Sequence, residues 1–159
     1  MNRILATFML LALVWGATAC GSEDAAIYMA EARSVHQRAE RALASDDHAG
    51  ATDEWRAFLD VPVPQSVNGD DARVVRQDVS YRLANLALDR GDTDAAIRWA
   101  EQGLNEGLAE DVFTANLYVV RGAARQAAGR DIDAASDYHE ALLINDALLQ
   151  RLLGAGDSE

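Results

Sequence analysis

The chain opens on one long apolar run and then turns amphipathic to its end. Ile4 to Trp15 is almost unbroken hydrophobic sequence, preceded by Arg3 and followed by the small residues Gly16, Ala17, Thr18 and Ala19. A positive start, an apolar middle and a small-residue end predict a secretory signal over residues 1–19. The run is shorter than the ~20 residues of a comfortable membrane span. After residue 23, alanine and leucine dominate and β-branched runs are rare, which predicts helix almost throughout. One stretch interrupts it. Residues 61–71, VPVPQSVNGDD, hold both prolines, an Asn-Gly pair and two aspartates, and predict a loop over 61–72.

The helical part repeats itself. YRLANLALDRGDTDAAIRWAEQGL (81–104) and YVVRGAARQAAGRDIDAASDYHEAL (118–142) superpose on Gly91 and Gly129, each reading helix, glycine turn, helix. A more divergent copy, HQRAERALASDDHAGATDEWRAFL (36–59), carries Asp46 at the turn. The pattern resembles the tetratricopeptide repeat. That family places small residues in the first helix, early in the second and again three residues after an aromatic. Gly122, Ala134, Tyr138 and Ala141 match it fully. Ala84, Ala96, Ala100 and Gly103 match except that Ala100 replaces the aromatic, with Trp99 beside it to fill the space. Ala39, Ala51 and Trp55 match in the upstream copy, where Phe58 replaces the last small residue. Equivalent turns lie 45 and 38 residues apart (46, 91 and 129) against about 34 in the family, the excess falling on the proline loop and on NEGLAED, 105–111.

The resemblance implies an all-α domain over residues 31–153, with repeats at about 32–60, 77–107 and 115–146, a separate capping helix at 144–153 and a tail at 154–159. Helices cross closely only where side chains are small, so Ala39, Ala84 and Gly122 are expected contact points. Gly91 and Gly129 suit left-handed helix stops, and Asp92 and Asp131 are expected caps for the helices that follow. One hairpin cannot bury its apolar face alone, and about three must stack.

The only cysteine gives the chain an address. Ala17-Thr18-Ala19-Cys20 resembles the lipobox of bacterial lipoproteins, with Ala17 where that family prefers leucine. The resemblance implies cleavage before Cys20, acylation of Cys20, and a polar lead-in over 20–30. Two or three acyl chains would hold the domain at a membrane, where one chain binds only marginally. Gly21, rather than aspartate, implies sorting to the outer membrane, facing the periplasm. With Cys20 acylated no thiol remains for disulfide chemistry.

Charge narrows the partners. Without residues 1–19, thirteen arginines face 26 acids, a formal charge of −13, with no lysine anywhere. Such a surface disfavours nucleic acid and anionic headgroups. His36, His48 and His139 form no metal-ligand pair, and no nucleophile elbow or phosphate-cradling glycine loop is present, so no metal, cofactor or catalytic residue is expected. What remains is a surface. In tetratricopeptide arrays the first helix of each repeat lines a concave groove that receives a peptide or partner helix. Carried over by position, the groove residues are His36, Glu40 and Leu43; Tyr81, Asn85, Leu88 and Asp89; and Asn116, Val119, Ala123 and Gln126. The expected function is a lipid-anchored envelope adaptor with a protein or peptide partner. Two alternatives stay open: a self-associating structural module, and a small-ligand binder or enzyme using His36, Tyr81 and Asn85.

Overall fold

The computed structural model describes residues 17–156, and these are all-α: six helices and no strand among the described residues. They are α1 (Ala17–Ala44), α2 (His48–Leu59), α3 (Gly69–Asp89), α4 (Thr93–Asn105), α5 (Val112–Ala127) and α6 (Asp131–Gly156). Residues 1–16 of the expected signal, and the Cys20 side chain, lie outside the described residues.

Three of the five connections share one hydrogen-bond pattern. At the α1–α2 turn, Asp46 N–H donates to Leu43 O (3.0 Å) and Asp47 N–H to Ala42 O (2.9 Å). Gly91 and Asp92 repeat this on Leu88 and Ala87, and Gly129 and Arg130 on Gln126 and Arg125. This is the Schellman closure, which needs one left-handed residue. The residues are Asp46 (φ 60°), Gly91 (φ 77°) and Gly129 (φ 74°), so Asp46 takes the glycine conformation as well as the glycine position. The next helix then starts at once. The Asp47 carboxylate accepts from Gly50 N–H at 2.8 Å, and Asp92 accepts from Ala95 N–H at 2.9 Å. Both satisfy an orphan donor of the first turn. Asp131 differs from expectation. It is the first residue inside α6 rather than its cap, where its charge faces the positive end of the helix dipole.

Three boundaries also move. The proline loop ends at Asn68, whose side chain accepts from Asp70 N–H at 2.8 Å and starts α3 at Gly69. Asp70 and Asp71, read as loop residues, belong to its first turn, where the dipole favours acids. The stretch 20–30, read as a lead-in, is helical, and Tyr28 is already core, 5.2 Å from the Phe58 ring centre. Residues 144–153, read as a separate cap, continue α6 without a break, and the helix runs into the expected tail as far as Gly156. No glycine or proline stands between Gly129 and Gly154 to stop it.

Packing follows the small residues. Ala39, Ala51, Trp55, Phe58 and Leu59 join Tyr28, Ala32 and Val35 of α1 and Val79, Leu83 and Leu86 of α3 in one core. Ala84, Ala100 and Leu104 meet Leu117 and Val120 of α5 in a second, and Trp99 packs against both. Gly103 lets α4 and α5 approach closely: a Cβ there would lie 2.8 Å from both Leu117 δ-carbons. At Gly122 a Cβ would lie 2.9 Å from the Tyr138 ring.

The contact between α5 and α6 is closed by charge. Asp137, 2% exposed, accepts from Arg121 Nη2 at 2.7 Å and from Arg125 Nη1 at 2.8 Å. A second polar network ties down the NEGLAED connection. Gln77 Nε2 donates to Gly107 O at 2.7 Å, Arg73 pairs with Asp111 at 2.8 Å, and Arg76 pairs with Glu106 at 2.8 Å. Burial of the Asp111 carboxyl works against its charge. The Thr114 amide and Arg73 outweigh it and hold that pKa below its ordinary value.

Candidate binding groove

Helices α1, α3 and α5 share a shallow cleft of about 190 Å³. Its walls are Met29, Ala32, Arg33 and His36 from α1, Val74, Val75 and Asp78 from α3, and Phe113 from α5. The surface is mostly apolar, with one exposed cation at its rim. Arg33 makes no ion pair among the described residues.

His36 forms one end of the cleft and is held on both ring nitrogens. Trp55 Nε1–H donates to His36 Nδ1 at 3.3 Å, and His36 Nε2 faces Asp78 Oδ2 at 3.3 Å. A lone pair on Nδ1 and a proton on Nε2 satisfy both contacts, so the neutral ring fits them. Burial pushes the His36 pKa down, as does Arg82, and the pull of Asp78 and Glu40 the other way is weaker. The chain of charge continues outward. Arg82 Nε donates to Asp78 Oδ2 at 2.9 Å and Arg82 Nη1 to Glu40 Oε1 at 3.1 Å. Burial opposes the Arg82 charge, but these two carboxylates outweigh it and raise its pKa. His36, Asp78, Arg82 and Glu40 therefore form a zipper between α1 and α3. It fixes the cleft wall and consumes most of its charge internally.

The remaining expected groove residues lie outside the cleft. Leu43, Tyr81 and Leu88 are half-buried and pack into the inter-helix cores. Asn85 donates to its own helix, Nδ2 to Tyr81 O at 3.1 Å. Asn116 and Ala123 are half-buried, Asp89 is exposed, and the exposed Gln126 accepts from Tyr138 Oη at 3.0 Å. Val119 is an exposed apolar residue of α5. Of the eleven, only His36 lines the cleft, and Glu40 supports it through Arg82.

The cleft residues absent from the sequence reading lie one or two turns earlier on the same faces. Met29 and Arg33 precede His36 by seven and three residues, Val74 and Asp78 precede Tyr81 by the same steps, and Phe113 precedes Asn116 by three. Helical periodicity carried one or two turns further toward each N-terminus reaches these five, and Ala32 and Val75, the other two cleft residues outside the expected set, stand beside Arg33 and Val74.

No known protein-family model matches the chain, and a search of curated proteins returns no significant match. Among the described residues, no helix is long and apolar enough to cross a membrane.

Proposed function

We propose that this chain is a lipid-anchored adaptor of the bacterial cell envelope, built as a tetratricopeptide-like array of three helical hairpins, which captures a protein or peptide partner along the α1–α3–α5 face. The observation that carries the reading is the open apolar cleft across those three helices, walled by Met29, Val75 and Phe113 and held in shape by the His36–Asp78–Arg82–Glu40 zipper. The three matching left-handed turns support the array.

In this reading an apolar side chain of the partner enters the cleft and removes surface from water at ~25 cal/mol per Å². Arg33 at the rim orients an acceptor of the partner. Acyl chains on Cys20 keep the pair at the membrane, with Gly21 directing the anchor to the outer membrane and the domain to the periplasm.

The test is affinity capture of the full chain after crosslinking in producing cells. Wild-type protein should recover a specific envelope protein. Val75→Asp places a charge in the cleft wall and should lose that protein while keeping the helical circular-dichroism signal. Recovery of no envelope protein, or equal recovery by Val75→Asp, would overturn the adaptor reading. The anchor has its own test. Cys20→Ser should abolish metabolic labelling with a fatty acid, and persistent labelling would remove Cys20 from the account.

A further inference from the structure

The last hairpin leaves bare a surface that the earlier two bury. Shifting by the turn spacings of 45 and 38 residues makes Leu59, Leu104 and Leu142 equivalent. Leu59 is 7% exposed, in a core completed by Val79 and Leu83 of α3. Leu104 is 8% exposed, in a core completed by Leu117 and Val120 of α5. Each is covered by the helix that opens the next hairpin. No helix follows α6 within the described residues, and Leu142 is 66% exposed. The α5 side shows the same contrast. Tyr81 of α3 packs on the second core, while its equivalent Val119 on α5 is 43% exposed.

The bare surface continues along α6. Leu149 and Leu153 follow Leu142 by seven and eleven residues, which puts the three on one helix face, and each is more than half exposed. Scattered surface leucines are ordinary; a contiguous stripe of this kind marks an interaction surface.

Charge selects the occupant. The chain carries a formal −12, yet Asp146 and Arg151 are the sole charged residues from Ala141 to Leu153, and Arg151 is paired with Glu110 at 3.2 Å. Two copies of so acidic a chain would repel at most approaches, and along this stripe Asp146 alone is left to repel. The leucines offer no fixed charge to select a foreign partner or an anionic membrane surface. A two-fold contact requires the same patch on both sides, and an uncharged leucine stripe meets that condition with itself. Stable interfaces bury about 800 Å² per partner, more than one helix face supplies, so the contact must spread from α6 onto α5 at Val119.

We infer that the α5–α6 face, centred on Leu142, Leu149 and Leu153, is a two-fold interface with a second copy of this chain. Each copy then covers for the other the surface that a fourth hairpin would cover. The interface lies on α5 and α6, apart from the α1–α3–α5 cleft, so a dimer keeps both clefts.

The test co-expresses two full-length copies carrying different affinity tags. Capture through one tag should recover the other. Leu142→Arg in both copies should reduce that recovery at least tenfold with the helical signal intact, because it sets two like charges near the two-fold axis. Val75→Asp should leave it unchanged, which separates failure of this interface from failure of the cleft. Absence of the second tag in the wild type, including a face occupied by a different protein or by lipid, overturns the inference. Recovery that survives Leu142→Arg marks co-extraction through the anchor and overturns it as well.

Discussion

Asp137→Asn tests whether charge closes the α5–α6 contact. The carboxylate is 2% exposed and accepts four short contacts: Arg121 Nη2 at 2.7 Å, Arg121 Nε at 3.1 and 3.2 Å to its two oxygens, and Arg125 Nη1 at 2.8 Å. Asparagine keeps one acceptor oxygen and turns an NH₂ group against guanidinium N–H donors. Breaking a buried ion pair from one side costs about 3–5 kcal/mol, most of it from the charge left behind. Here the stranded charges are Arg121 and Arg125, whose side chains keep 16% and 14% exposure, and Arg125 retains Glu101 at 3.3 Å. Partial hydration and that second partner place the loss at the lower end, about 3 kcal/mol. At 2–4 °C per kcal/mol for a domain of this size, the melting temperature should fall by roughly 6–12 °C. The assay is thermal and urea unfolding of residues 21–159, followed at 222 nm. The triple variant Asp137→Leu, Arg121→Met, Arg125→Met removes all three charges together and should recover most of the loss. A cost below about 1 kcal/mol for Asp137→Asn, or a triple variant no more stable than the single, would refute the argument.

Other expectations follow from individual positions. Asp46 holds a left-handed backbone that glycine adopts freely, so Asp46→Gly should gain up to about 1 kcal/mol in urea unfolding, and Gly91→Val should lose about 1–2 kcal/mol by the reverse logic. Gly103→Ala adds a methyl 2.8 Å from Leu117 and 2.9 Å from Ser80 Cβ; its overpacking cost of about 1–3 kcal/mol should exceed the ~1 kcal/mol helix-propensity gain, and a stabilised variant would show that α4 and α5 are not in close contact. Burial, the largest cause, holds the His36 pKa below its ordinary 6.5, so the unfolded chain takes up that proton first as pH falls. The His36 contribution is therefore complete above about pH 6.5 and declines below it, and His36→Gln should flatten the pH dependence of the melting temperature between pH 7 and 5; an unchanged slope would contradict the buried neutral ring.

The turns were the most legible part of the sequence. Gly91 and Gly129 announce left-handed stops, and alignment on them puts Asp46 at the same turn position, where the structure gives it the left-handed backbone as well. The buried small residues Ala39, Ala51, Ala84, Ala96 and Ala134 were legible for the same reason, since their spacing repeats with the turns. Boundaries set by a single local bond were not. Asn68 starts α3 by accepting one amide, which composition reads as more loop. Ile144-Asn145-Asp146 looks like the start of a new helix, but nothing before it ends the old one. The cleft was harder again. Tyr81 and Leu88 stand on the expected face, yet α3 and α5 approach closely enough to absorb them into the core, and the open surface lies a turn nearer the N-termini at Val74 and Asp78. Pairings such as His36 with Trp55 and Asp78, or Asp137 with two arginines, depend on helices brought together by the fold and leave no local mark.

Capture of an envelope partner by the α1–α3–α5 cleft, as proposed, is open to site-specific photocrosslinking in cells. A photoreactive side chain at Val75 lies in the cleft wall, and one at the exposed Ala57 of α2 lies outside it. Val75 should yield one discrete crosslinked envelope protein that Ala57 does not. No product from Val75, or the same products from both positions, would contradict the account.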